Sequence, residues 1–384
     1  MGCTGTRGTG SRERADGRGR AVARCDARRH PARRQGRPGA VGEGSRSLVG
    51  GSTVSDRVLI TGGRGLLGNA VIDDVRSRGW LVSALQRSAS GRADGEVVRD
   101  HRGDVTDARA VEEAMEGCTA VVHLAARVGI EGTWRDFESV NVEGTRIVLE
   151  AARRRGVRAF VQVSSPSVAH AGKPLVGAEA EVADPTSARG HYSRSKAMAE
   201  LLVLGQSDVP AVAVRPHLVW GPGDTQLIGR IVARARAGRL FVIDGGTALI
   251  DTTYVDNAGA AIGAALARLC SSDTGGVELS GRALVISNGE PRPVRDILTA
   301  IVRAAGLQIS PRSIPFAPAF AAGAAAESLL ARRGVEPPVT RFLVEQLATA
   351  HWFDQRETRR LLEWQPEVGL DEGMRRLADW YAQQ

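Results

Sequence analysis

Lysine is nearly missing from this chain: of 51 basic residues in 384, only Lys173 and Lys196 are lysines. Tyrosine is scarce too, with three copies, and aromatic residues together make up 4%. Of the four cysteines, Cys3 and Cys25 precede residue 55, which leaves Cys118 and Cys270 for the remainder and no basis for a disulfide framework. No His/Cys/Asp/Glu spacing suggests a metal. No uncharged apolar run reaches the ~18 residues that a spanning helix needs. The nearest, Pro315 to Ala331, is alanine-rich and interrupted by Glu327. It reads as a packed or partner-facing helix, with an interfacial helix lying on a membrane as the other reading. The expectation is a cytoplasmic protein, with peripheral membrane contact as its one membrane option. The first 55 residues hold no apolar stretch of signal-peptide length, so a secretory route is not expected.

Residues 1–55 carry 12 arginines against four acids, which is the whole of the chain's net charge of +8. With many glycines and almost no apolar periodicity, they cannot bury a core and are expected to be disordered. An arginine-rich nucleic-acid arm is one reading. The other is a start placed too far upstream, with translation beginning at Val54. The imbalance of arginine over lysine points to a GC-rich genome, where overlong reading frames are common, so the second is preferred and no nucleic-acid partner is expected.

Against that scarcity, Lys196 lies four residues after Tyr192, an offset that stacks two side chains on one helix face. A free phenol titrates near ~10, and a fixed cation within ~4 to 6 Å favours its ionised form. Tyr192 is then equipped to exchange a proton with a substrate hydroxyl or carbonyl. The plain alternative is an ordinary, partly exposed helix from Tyr192 to Glu200.

Upstream, Arg57-Val-Leu-Ile-Thr-Gly-Gly-Arg-Gly-Leu-Leu-Gly68 feeds an apolar run into Gly62, Gly65 and Gly68, and Val71, Ile72 and Val75 follow at helical spacing. Strand, glycine turn and helix in that order let the backbone approach a pyrophosphate seated on the helix N-terminus.

The spacing GxxGxxG resembles that of the short-chain dehydrogenases and reductases, in their extended form, the NAD-dependent epimerase/dehydratase family. The resemblance runs from residue 56 to 384, with its landmarks in order. Gly103-Asp104-Val105-Thr106-Asp107 is similar to the segment whose first aspartate contacts adenine, and His123-Leu124-Ala125-Ala126 to the end of the fourth strand. Asn141-Val-Glu-Gly-Thr145 resembles the NVxGT helix, and Val163-Ser164-Ser165-Pro166-Ser167-Val168 the VSSxxV strand end. The resemblance implies that Tyr192 is the acid/base, that Lys196 lowers its pKa and holds the nicotinamide ribose, and that Ser165 orients the substrate. It also implies a cofactor cleft formed by Gly62, Arg64, Gly65, Leu66, Leu67, Gly68, Gln86, Arg87, Asp104, Val105, Leu124, Ala125, Ala126, Asn141, Tyr192, Lys196, Pro216 and Val219. Asn141 either steadies the site through its helix or is satisfied by local backbone bonds. Ser164 reads as structural, and His123 as a satisfied strand-end histidine rather than a catalyst.

The dinucleotide fold places a carboxylate at the end of its second strand, where it binds the adenosine 2′-hydroxyl and repels a 2′-phosphate. Here that strand ends in Gln86-Arg87-Ser88. Arg87 and Arg64 offer two guanidinium forks suited to a phosphate, so NADP(H) is preferred, with NAD(H) the other option.

Arg215-Pro216-His-Leu-Val-Trp220-Gly-Pro-Gly-Asp224 and Ile250-Asp-Thr-Thr-Tyr254-Val-Asp-Asn-Ala258 resemble segments of the 3β-hydroxysteroid dehydrogenase branch. Ser287-Asn-Gly-Glu-Pro291, Trp364-Gln-Pro366 and the Gly373 to Trp380 helix fit the same branch. What this implies is reversible hydride transfer between a nicotinamide and a secondary alcohol or ketone, with a steroid-like or sterol-like substrate. The alternative is a nucleotide-sugar epimerase with the same Ser, Tyr and Lys. No distinct basic cluster for a nucleotide diphosphate is apparent. A 4,6-dehydratase fits less well, because Pro166 and Ser167 follow Ser165 where that branch has an acidic pair. A non-catalytic nucleotide-binding regulator is the third option, though such relatives usually lose the tyrosine or the lysine.

The expected fold is α/β: a doubly wound parallel sheet of the Rossmann type over residues 56–215, with residues 250–268 returning to it. Residues 216–384 are expected to be mainly a smaller, discontinuous substrate-binding part. The loop at 170–190 is a candidate lid, Val219 and Trp220 are candidate pocket walls, and the resemblance implies a homodimer through two helices per subunit, one of them bearing Tyr192.

Overall fold

Apolar runs of four to six residues, buried on both faces, make strands that need cover on two sides. Here they are β1 (Arg57–Thr61), β2 (Leu81–Gln86), β4 (Ala120–His123) and β5 (Ala159–Val163), of which β1, β4 and β5 are buried along their whole length, whereas β3 (Val98–Arg102) is a polar strand that buries only Val98. Strands Ala211–Pro216 and Ala283–Ile286 complete a seven-stranded sheet. Its order is 283–286, 211–216, β5, β4, β1, β2, β3, and every pairing is parallel. The computed structural model describes residues 56–89, 95–129, 132–169, 173–271, 274–330 and 340–384. The expectations for residues 1–55 lie outside the described residues.

Helix α1 (Leu66–Ser77) buries Val71, Ile72 and Val75 on the sheet. Across it lies the helix Val255–Cys270, and the two approach so closely that a Cβ on Gly259 would sit 2.8 Å from the Ala70 backbone. This second helix, alanine-rich and almost wholly buried, covers the same face of the sheet.

The sheet takes more of the C-terminal half than its amphipathic helices suggest. Ala283–Ile286 continues it as an edge strand, and Leu361, Leu362 and Trp364 join the core on that face. An apolar Ala-Leu-Val-Ile run is what covers the otherwise open edge of strand 211–216.

The remaining elements form a second core around Trp220, Ile231, Leu240, Ile297, Leu298, Ile301 and Met374. Its helices are Ile228–Arg236, Val294–Ala304 and Leu370–Tyr381. Gly373 lets the last of these meet the Trp220 and Tyr254 rings, since a Cβ there would come within 2.8 Å of both. The expected lid is tied down instead: Leu175–Ala178 pairs with His351–Phe353 and so becomes the edge of a four-stranded sheet. The run beginning at Pro315 is the helix Phe316–Leu330, packed through Ala319 and Gly323, with Phe316, Ala317, Pro318, Ala321 and Ala322 exposed. Among the described residues no helix is long and apolar enough to cross a membrane.

Candidate active site

Strand order reverses between β1 and β4, which opens a crevice at their carboxyl ends. Gly62 turns the chain there with φ +75°, and a Cβ would stand 2.9 Å from the Ala125 amide nitrogen. Gly68 packs against the Gly62 carbonyl and the Gly63 backbone with no room for a side chain. Helix α1 starts at Leu66 behind Gly65, which supplies no side-chain cap, so the first-turn amides of Leu66, Leu67 and Gly68 face the crevice mouth as open donors. The Leu124 and Ala125 backbone lies against the Gly62 turn. A pyrophosphate fits this cradle on geometry alone, and a nicotinamide dinucleotide held here would carry the hydride.

At the far end of that crevice, Gln86 is buried at the end of β2 and donates from Nε2 to Asp100 Oδ1 at 2.5 Å. A carboxylate therefore stands beside Gln86 after all, contributed by β3. Arg64 hydrogen-bonds the Ser88 hydroxyl, which brings its guanidinium to the strand end that also carries the exposed Arg87. Asp104 closes its own turn, accepting from the Thr106 amide and hydroxyl at 3.0 and 2.9 Å. The Val105 side chain is buried against Gly144.

The helix His191–Leu204 carries Tyr192 and Lys196. Ser165 follows β5 and caps the short turn Pro166–Val168, accepting from the Ser167 amide at 3.3 Å, and its hydroxyl interacts with the Tyr192 phenol. Burial pushes the Tyr192 phenol up from its ordinary value, and only the neighbouring Ser165 hydroxyl opposes that. The lowering expected from Lys196 is not among the causes of that shift. The physical reason is that the Lys196 ammonium donates to the Val163 carbonyl at 2.6 Å, the nearest acceptor at the end of β5. Burial also holds the Lys196 pKa down to about 8, against the pull of Glu200 one turn on. Glu200 is itself locked by the buried Arg215, whose Nε and Nη2 donate to its two oxygens at 3.0 and 2.5 Å. That ion pair fixes the helix to strand 211–216.

A second polar chain crosses the site from the other side. The Ala125 amide donates to Thr61 Oγ1 at 3.1 Å, and Thr61 Oγ1 lies 2.7 Å from His123 Nδ1. His123 Nε2 lies 3.0 Å from Thr145 Oγ1, whose own hydrogen goes to the Asn141 carbonyl at 2.7 Å. That last donation leaves Thr145 as acceptor, so His123 carries its proton on Nε2 and receives Thr61's on Nδ1. Desolvation pushes the His123 pKa down to about 3, so the ring is neutral, a satisfied strand-end histidine. The Asn141 side chain bonds the Arg127 amide and carbonyl at 2.7 and 3.1 Å and donates to Ser195 Oγ at 2.9 Å. These bonds tie the loop after β4 to the helix of Tyr192. Asn141 sits in a π-helical turn, Glu138–Glu143, a distortion that recurs at functional sites.

Beside Ser165 and Tyr192 opens a cavity of about 980 Å³, bounded on its inner side by Trp220, Leu240, Ile297, Leu298, Ile301 and Phe320. Pro216 lines it, whereas Val219 does not: strand alternation turns Trp220 inward and Val219 away. Trp220 Nε1 is satisfied by Thr252 Oγ1 at 2.9 Å, which frees its ring faces for apolar contact. His217 and His351 meet edge to face at 5.2 Å on the same wall. Arg189 and Glu345 form an ion pair across the rim. These last four residues were not singled out from the sequence. Only the place of Arg189, three residues before Tyr192, offered a local signal.

The model of the NAD dependent epimerase/dehydratase family matches residues 58–277. The chain belongs to that family. It is 40% identical over 327 residues to the 2-alkyl-3-oxoalkanoate reductase of Stenotrophomonas maltophilia (strain K279a), covering 84% of this chain and 98% of that one. The mouse sterol-4-alpha-carboxylate 3-dehydrogenase, decarboxylating, is 26% identical over 350 residues, covering 87% of this chain and 95% of the other. Among solved structures, the UDP-glucose 4-epimerase of Thermus thermophilus in complex with NAD matches with a TM-score of 0.59 and 25% identity over 85% of this chain and 99% of that one. The chain is an NAD(P)-dependent oxidoreductase of the extended short-chain type, on the 3β-hydroxysteroid dehydrogenase-like branch.

Proposed function

We propose that this enzyme interconverts a long-chain 3-oxo acid and the corresponding 3-hydroxy acid, with NADP(H) as its preferred cofactor. The observation that carries the reading is the apolar cavity of about 980 Å³ that opens on Ser165 and Tyr192. Its size is near the top of the usual range for small-molecule sites, and its walls suit alkyl chains rather than a nucleotide sugar. The names of two relatives, the 2-alkyl-3-oxoalkanoate reductase and the sterol-4-alpha-carboxylate dehydrogenase, both put a carboxylate on the carbon next to the reacting one. A sterol-like substrate of the kind expected from the sequence shares that chemistry when it carries such a carboxylate.

A nicotinamide bound in the crevice would supply or accept the hydride at the reacting carbon. Tyr192, kept protonated by burial, gives its phenolic proton to the carbonyl oxygen as that oxygen gains charge, and takes it back in the reverse direction. Ser165 orients the same oxygen through its hydroxyl. Lys196 offers a cation beside the phenol and is the residue to hold the nicotinamide ribose. Arg64 and Arg87, with the Ser88 hydroxyl between strand end and glycine turn, support a 2′-phosphate site. Residues 56–215 with the helix Val255–Cys270 and strand 283–286 make the cofactor half, and the second core makes the substrate half. An exposed Leu201 on the Tyr192 helix supports a homodimer through that helix, which sedimentation of a Leu201→Glu variant tests.

The test is growth of the reduced-nicotinamide absorbance when the full chain meets a 2-alkyl-3-hydroxy acid with NADP⁺ or NAD⁺. Turnover that favours NADP⁺, and that loses the preference in Arg64→Ala/Arg87→Ala, is the expected result. A silent acid panel, with epimerisation of UDP-sugars instead, overturns the reading.

A further inference from the structure

We propose that Arg189 recognises the carboxylate of the substrate, and that Glu345 holds that place until the substrate arrives. The inference rests on the 3-oxo acid reading and adds to it a residue and an exchange.

In a 3-oxo acid the carboxylate carbon is two bonds from the carbonyl carbon. A group that binds the anion must therefore stand on the same wall as the group that protonates the ketone oxygen. Four arginines line the cavity, Arg189, Arg234, Arg239 and Arg341, against two glutamates, Glu327 and Glu345, so its charged rim favours an anion. Of the four, only Arg189 belongs to the segment leading into Tyr192. Three residues span at most ~11 Å of extended chain, and the turn at Gly190, with φ +90°, shortens that reach. Arg234 and Arg239 come from the end of the helix Ile228–Arg236 and the turn after it. Arg341 is held by Glu327 through its backbone amide and its Nε, at 2.8 and 2.7 Å.

Arg189 already holds a carboxylate. Glu345, on the helix Arg341–Ala348, reaches it from 156 residues further along the chain, and both residues line the cavity. The Glu345 side chain is 14% exposed and that of Arg189 46%, so the pair lies at the mouth, with the carboxylate on the inner side. A pair with its guanidinium this open to solvent is screened and adds little to stability. Exchanging one carboxylate for another at that guanidinium is nearly neutral, whereas an anion drawn into the apolar cavity without a partner is strongly disfavoured. The arrangement orients an amphipathic acid with its carboxylate at the mouth, its ketone at Tyr192 and its alkyl chains inside.

The experiment compares a long-chain 2-alkyl-3-hydroxy acid with its methyl ester as substrates of the full chain with NADP⁺, and, without turnover, calorimetric binding of a saturated fatty acid and its methyl ester. Arg189→Gln is expected to lower the acid-over-ester preference in kcat/KM by about 10- to 100-fold, mostly through KM. Glu345→Gln, which releases Arg189, moves the other way and tightens the acid. If Glu345→Gln weakens the acid as Arg189→Gln does, or if both variants affect acid and ester alike, the pair is only structural and the proposal falls. Loss of the preference in Arg234→Gln or Arg239→Gln, with Arg189→Gln retaining it, overturns it as well. If neither substrate turns over but fatty-acid binding still depends on Arg189, the reaction assignment fails while the anion subsite stands.

Discussion

The two walls of the active site are built on opposite principles. On the sheet side, polar groups are joined in chains, from Thr61 through His123 and Thr145 to Asn141 and Ser195, and from Lys196 to the Val163 carbonyl. On the C-terminal side, aliphatic and aromatic residues leave a hollow with its charges gathered at the rim. A fully paired polar network has one low-energy arrangement, so it fixes where a proton moves. An apolar hollow accepts many shapes of similar volume and fixes only the kind of molecule that enters. On the proposed reading, the first wall determines the reaction and the second the substrate.

The contrast is broken most severely at Tyr192. Tyr192→Phe removes the proposed proton donor and is expected to lower kcat by about 10²- to 10⁴-fold, with nucleotide affinity retained in fluorescence titration. Gly62→Ala comes next. The new methyl meets the Ala125 backbone at 2.9 Å in a backbone conformation that L side chains rarely adopt, so nucleotide binding is expected to weaken by an order of magnitude or more in the same titration.

A smaller effect sharpens the comparison through pH. His123 is held neutral with its pKa near about 3, while in the unfolded chain it titrates near 6.5. Between those values the unfolded state binds a proton that the native state refuses, so stability rises with pH across that window and falls on acidification, by about 1.4 kcal/mol per pH unit from this group. Denaturant melts at pH 7, 5 and 4 check it. His123→Asn is expected to be less stable at pH 7, by about 1 to 3 kcal/mol, and to show a shallower acid slope.

Much of the sheet-side wall was legible in the sequence because its constraints are local. Gly62 and Gly68 answer to a turn a few residues long, and Tyr192 and Lys196 share one helix turn. The directions of charge effects were not legible. The Lys196 ammonium meets the Val163 carbonyl across 33 residues, and burial raises the pKa of the phenol. Asp100 restores a carboxylate beside Gln86 through the pairing of β2 with β3, which the glycine-to-acid spacing rule does not include. On the substrate side almost nothing local marks the wall. Trp220 faces the cavity and Val219 does not, a choice made by one register of strand pairing, and Arg189 finds Glu345 only after 156 residues of chain have folded. Strand 283–286 was hidden for the same reason, since its place at the sheet edge depends on strand 211–216 being left uncovered.

The most direct test of the division between the two walls is kcat and KM for the full chain with a homologous series of 3-hydroxy acids. The account predicts that kcat stays nearly flat while KM falls about fourfold for each added methylene, until the cavity is full, as burial of ~0.8 kcal/mol per methylene requires. A KM independent of chain length, with kcat rising instead, contradicts it, because the apolar wall would then be acting on the reaction and not on the choice of substrate.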